Sequence, residues 1–201
     1  MKRSLVPAAV LLLAACGTDP QVVVRASLEG EGRPIAELPV RLLPYDRTEV
    51  LDSMARAYGR SEPRIPQELI QRLADTSSAP IALPRAEGDT TPARVLTRPQ
   101  LRAYVDSLMR VQRSWADSAY AGYDETVRGR VAAAGRGEQA DTTDASGTAR
   151  IQAEDGEWWV WAQYTTADRQ MDWVVPVRLA EGGDSVVVRL TPANAKVRPF
   201  F

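Results

Sequence analysis

Apolar and polar residues alternate in strand fashion at both ends of the chain and follow a helical period between them. Val22, Val24, Ala26 and Leu28 alternate with Val23, Arg25 and Ser27, the pattern of a strand with one buried face. A turn segment with two glycines, 29–34, leads to Leu38, Val40 and Leu42, which share a face. Segments 22–28 and 38–44 are therefore expected to form an opening hairpin. After Tyr45 the period changes. Asp46 and Glu49 have capping-box spacing, Val50, Leu51 and Met54 follow at helical intervals, and Gly59 is a natural stop. Pro66 to Leu73 predicts a second short helix. The stretch 75–95, rich in Ser, Thr, Pro, Gly and Ala, predicts an irregular connection.

The strongest helix signal starts at Thr97. Thr97 and Gln100 have capping-box spacing, with Leu96 and Leu101 placed to close a hydrophobic staple. Leu101, Tyr104 or Val105, Leu108, Val111, Trp115, Ala119 and Tyr123 then make an apolar stripe on a helix that is expected to run on to Ala134, before Gly135-Arg136-Gly137. Strand alternation resumes at Thr148. Asp155-Gly156, a favoured hairpin dipeptide, leads into Trp158-Trp159-Val160-Trp161-Ala162. Two more strands are expected over Met171 to Leu179 and Ser185 to Leu190. The fold class expected is mainly β with an α insertion: a β-sandwich interrupted by a helical hairpin that packs on one sheet.

The first residues change what the rest must do. Met1-Lys2-Arg3 and the apolar run Leu5 to Leu13 have the charged and hydrophobic parts of an export signal. The run is shorter than the roughly 20 residues that a spanning helix needs. It stops at Leu13-Ala14-Ala15-Cys16, which resembles the lipobox of bacterial lipoproteins. That resemblance implies cleavage before Cys16 and a membrane anchor through lipid on Cys16; an ordinary cleaved signal with a chance cysteine is the alternative. Gly17, where some bacteria use an aspartate to retain lipoproteins in the inner membrane, favours the outer membrane. The chain then divides into a leader, 1–15; a lipidated linker, 16–21; the first part of the β-domain, 22–45; the helical insertion, 46–137; and the second part, 138–198.

Composition narrows the chemistry. The 201 residues contain no histidine and one cysteine, Cys16, which excludes Ser-His-Asp and Cys-His catalysis and removes the usual zinc ligands. The formal charge of −1 becomes about −3 if Lys2 and Arg3 leave with the leader. Such a balance offers no general attraction to nucleic acid. No cofactor is expected.

The residues Gly32-Arg33-Pro34-Ile35 with Leu38-Pro39-Val40, then Thr143-Asp144-Ala145-Ser146-Gly147, and Gly156 with Trp158, Val160 and Ala162 resemble the carboxypeptidase regulatory-like, prealbumin-like family of exported modules. The resemblance covers both ends of the chain and not the insertion. It implies a prealbumin-like β-sandwich with a non-catalytic role. Members serve as adhesive or starch-binding-like modules, and fold alone transfers none of these roles.

Two candidate sites remain. In a strand, Trp158, Val160, Ala162 and Tyr164 point one way and Trp159, Trp161 and Gln163 the other. If the first set is core, Trp159 and Trp161 form an outer-face pair that either binds a glycan or protein partner or lies under the helix of residues 99–134, with Leu108 and Trp115 meeting the indoles. Asp141, Asp144 and Asp184 offer oxygen ligands for Ca²⁺ but lack EF-hand spacing, so turn roles fit them better. Nothing in the spacing of Asp124, Glu125, Glu154, Asp155 and Glu157 singles out a glycosidase pair. The reading of the sequence is a non-catalytic, lipid-anchored envelope protein acting as an interaction or structural module. The alternatives are a carbohydrate-binding module using Trp159 and Trp161, and an enzyme of unrecognised type.

Overall fold

The computed structural model describes residues 20–28, 32–75, 81–83, 95–167 and 169–199. Strands β1 (Gln21–Ala26) and β2 (Pro39–Leu43) come first, then helices α1 (Arg47–Tyr58) and α2 (Gln67–Ala74). The two-residue strands β3 (Ile81–Ala82) and β4 (Val95–Leu96) precede helices α3 (Arg98–Ala119) and α4 (Tyr123–Ala134). The chain ends in strands β5 (Gln139–Thr142), β6 (Thr148–Gln152), β7 (Gly156–Thr165), β8 (Arg169–Leu179), β9 (Val186–Leu190) and β10 (Lys196–Pro199). The protein is thus mainly β with a helical insertion. One sheet has the order β6-β1-β9, the other β10-β8-β7-β2-β5, and β3 with β4 makes a separate ribbon.

Both larger sheets feed one hydrophobic core. Val22, Val24, Ala149, Ile151, Val188 and Leu190 come from the first sheet; Val40, Leu42, Trp158, Val160, Ala162, Met171, Trp173 and Leu179 come from the second. The period-two alternation is the cause, since only one face of each strand can reach the core. Trp158 and Trp173 are buried without an orphaned donor: their indole N–H groups donate to the carbonyls of Glu154 and Thr191 at 2.9 and 2.8 Å. Each buries a large apolar area, and truncation of either to alanine would cost about 3–5 kcal/mol.

The connections depart from the sequence reading. No opening hairpin forms: β1 pairs with β6 and, in parallel, with β9, while β2 pairs with β5 and β7 in the other sheet. The chain crosses between sheets after β1, with a single bridge from Ser27 to Pro34. Asp155-Gly156 is likewise an arch between sheets and not a hairpin, because β6 and β7 lie on opposite walls of the core. Periodicity tells which face is buried, but the same alternation suits a hairpin and an arch equally well.

The residues flanking the first crossing meet those before β6. Thr143, the only fully buried polar side chain among the described residues, accepts from Leu38 N–H at 2.8 Å and donates to the carbonyl of Ile35 at 2.7 Å. Gly147 has φ +73°, and a Cβ there would meet the Ala26 carbonyl oxygen at 2.5 Å and Pro34 Cβ at 2.9 Å. Glycine suits this position on both counts.

The insertion leaves from β2 and returns at β5, which are antiparallel neighbours with Leu42 opposite Gln139. It carries its own core, in which Leu69, Leu96, Leu101 and Val105 are buried with Leu73, Leu108 and Met109 around them. The Asp46 side chain accepts from Thr48 N–H and Glu49 N–H to start α1. Glu49 pairs with Arg130 on α4, so only half of the expected capping box is made. At α3 the Gln100 side chain accepts from Thr97 N–H at 2.9 Å. The expected single helix to Ala134 is two: α3 stops at Ala119, and Gly122 in the left-handed region, φ +81°, starts α4.

Candidate functional site

The outer face of β7 carries Trp159 and Trp161, both half-buried. Register sets their neighbours. Trp159 lies between Leu43 of β2 and Pro176 of β8, and Trp161 between Arg41 and Val174. Above them sit α1 and α4: Val50 and Met54 of the first, Tyr123, Val127 and Val131 of the second, join Leu43, Tyr45 and both indoles in one apolar cluster. Spacings of four along both helices align these side chains on one face.

The pair is therefore covered by the insertion, but not by the helix expected from sequence. Leu108 packs in the insertion's own core. Trp115 makes edge contacts with Tyr58 and Tyr120 and donates its indole N–H to the carbonyl of Arg60 at 2.9 Å. The apolar stripe of α3 is used on α1 and α2, which leaves the indoles to α4 and the other face of α1. Val127 and Val131 were missed in the sequence because the break at Gly122 resets the helical phase. Their spacing of four from Tyr123 was the available signal.

Beside Trp161 the cover is incomplete, leaving a cavity of about 220 Å³. Its polar wall is a network. Tyr45 donates its hydroxyl to Glu138 at 2.9 Å, and Arg41 pairs with the same carboxylate. Burial, then the hydrogen bond to Glu138, pushes the Tyr45 hydroxyl well above its ordinary pKa, so Tyr45 remains a donor across the physiological range. The opposite side belongs to Arg47, whose guanidinium lies 4.9 Å from the Trp161 ring centroid and 5.9 Å from that of Tyr123. Such cation–π contacts contribute about 0.5–2 kcal/mol each. The Trp161 indole N–H is buried with no acceptor among the described residues.

The other sequence candidates are spread elsewhere. Asp141 accepts from Thr142 N–H and Arg150 N–H. Asp144 accepts from Ser146 N–H, the Ser146 hydroxyl and Thr148 N–H. The Ser146 hydroxyl bond, then the Thr148 amide, holds the Asp144 carboxyl below the usual range. The Asp144 bonds are those of a turn, whereas Asp141 lies on β5 and not in a loop, and its bond to Arg150 N–H reaches β6; no group of three metal-ligating side chains gathers among the described residues. Cys16 and the leader lie outside the described residues. Among those described, no helix is long and apolar enough to cross a membrane. Comparison with protein-family models, characterised proteins and solved structures finds no match to this chain.

Proposed function

We propose that the chain is a lipid-anchored envelope protein whose two-sheet domain, a prealbumin-like β-sandwich of the carboxypeptidase regulatory-like kind, acts as a non-catalytic interaction or structural module. The observation that carries this reading is the lipobox-like Leu13-Ala14-Ala15-Cys16 set a few residues before β1. The carbonyl of Pro20 accepts from Ala153 N–H at 3.2 Å, so the domain holds the chain from that residue on. A chain extended from Cys16 to Pro20 reaches at most about 14 Å. Lipid on Cys16 would keep this end of the domain near the membrane surface, on the outer membrane by the Gly17 argument. Arg136, at the base of the insertion, donates to the carbonyls of Asp155 and Glu157, just beyond Ala153. The insertion is therefore rooted at the tethered end, and its far helices are free to meet a neighbour.

A residue inventory without histidine supports the non-catalytic reading over an unrecognised enzyme. The half-burial of Trp159 and Trp161 under α1 and α4 disfavours a flat glycan platform. Photo-cross-linking in the intact envelope from exposed positions of α3, such as Arg113, tests the proposal. A discrete adduct with another envelope protein is expected; no adduct from any position, with the protein still in the membrane fraction, would count against it.

A further inference from the structure

The cavity beside Trp161 combines three features that a purely structural joint does not need. The first is room: about 220 Å³, about seven heavy atoms at the ~30 Å³ share of a water in the liquid, with the incomplete cover leaving the rest of a larger ligand in solvent. The second is a cation without an anion. Arg41 is matched by Glu138, whereas Arg47 has only the faces of Trp161 and Tyr123 against it and no hydrogen bond or ion pair to a described residue. The third is the buried Trp161 indole N–H, which has no acceptor among the described residues. Leaving a buried donor unmet costs about 1–3 kcal/mol, and an acceptor on a ligand would recover it.

We infer that this cavity is a binding site for a small organic carboxylate, with Arg47 as the charge partner and the Trp161 N–H as a second donor. A guanidinium fixed against aromatic rings presents its N–H fork to a carboxylate with little further ordering. Leu43 and Val127 supply apolar contact for the body of the ligand. Glu138 does not repel it strongly, because Arg41 and Tyr45 already engage that carboxylate. Asp124, the other acid at the cavity, is exposed, where water screens it and a hydroxyl on the ligand can donate to it. The site depends neither on the lipid anchor nor on any partner protein.

The test is titration of the soluble fragment beginning after Cys16 with D-glucuronate and with benzoate, followed by indole emission and by melting temperature. Glucose and inorganic phosphate serve as the comparison probes. At least one carboxylate is expected to bind saturably, with affinity falling about tenfold or more in Arg47→Met, which keeps the apolar stem and removes the charge. Trp161→Phe, which retains packing without the N–H, is expected to weaken binding several-fold. Melting curves of both variants without ligand establish that they fold. Failure of both carboxylates to bind, binding of glucose or phosphate alone, or equal affinity in folded Arg47→Met would overturn the inference.

Discussion

The guanidinium of Arg136 lies over the ring of Trp158, 4.5 Å from its centroid, while its two terminal nitrogens donate to the carbonyls of Asp155 and Glu157. One side chain at the end of the insertion thereby clamps the arch that leads from one sheet to the other. Gly156 has φ +124°, and a Cβ at that position would collide with the guanidinium. Arg136→Ala should destabilise the fold by about 1–3 kcal/mol, from two lost charged hydrogen bonds and one cation–π contact. Gly156→Ala should also be destabilising, and less so when Arg136 is already alanine. A double-mutant cycle by chemical denaturation measures that coupling; strictly additive costs would show that the two residues do not share the arch.

Thr143 makes a second prediction about the crossing between sheets. Replacing it with valine keeps the shape but removes the acceptor for Leu38 N–H and the donor to Ile35 carbonyl. Both backbone groups would be left unmet in a buried setting, at about 1–3 kcal/mol each. Thr143→Ser should cost much less, since it retains both bonds. A loss in Thr143→Ser as large as that in Thr143→Val would contradict the assignment, because serine keeps both hydroxyl bonds.

Alkaline pH should loosen the joint. Tyr45 is protonated in both states below about pH 10, the ordinary tyrosine value. Its folded-state pKa is raised, by burial first and then by Glu138, so above about pH 10 the unfolded chain ionises while the native one resists. Stability contributed by the protonated hydroxyl is thus complete below that pH and is lost as the pH rises toward the folded value. Tyr45→Phe should cost about 1 kcal/mol at neutral pH and flatten the alkaline limb of the stability curve. Tyr120, raised mainly by its burial, keeps that limb from vanishing. An unchanged limb in Tyr45→Phe would refute the assignment.

The insertion should detach before the sheets unfold. It has its own core and meets the second sheet through the cluster around Trp159 and Trp161. Val127→Asp would bury a charge in that cluster and should expose the indoles, raising acrylamide quenching while β1 and β7 keep slow amide exchange. A Trp159→Ala, Trp161→Ala double variant should lose stability at the joint and change quenching little, because both indoles are partly covered. Loss of most quenchable emission in a folded double variant would instead mean that the pair stands open.

How far the sequence reveals this arrangement depends on whether a residue's role is local. The inward faces of β1, β2 and β7 were legible because Val22, Val24, Val40, Leu42, Trp158 and Val160 obey a period that only one buried face explains. Pairing was not legible, because nothing in Val186 to Leu190 distinguishes a parallel partner of β1 from a hairpin partner of β8. β5 left no trace: Gln139, Ala140, Asp141 and Thr142 are all exposed, and the strand exists through its ladder with β2. Whether the indole face is a platform or a joint turned on which helix covers it. Gly122 decided that by its left-handed backbone, and the cavity beside Trp161 followed from residues far apart in sequence, Arg47 and Trp161 among them.

The central claim, that the domain works from a lipid anchor, is tested most directly by mass spectrometry of the N-terminal peptide of the protein recovered from the membrane fraction of its host. The account predicts a chain beginning at Cys16 with acyl chains on that residue, and release or failed processing in Cys16→Ser. A soluble protein bearing an unmodified Cys16, or a chain cut elsewhere, would contradict it.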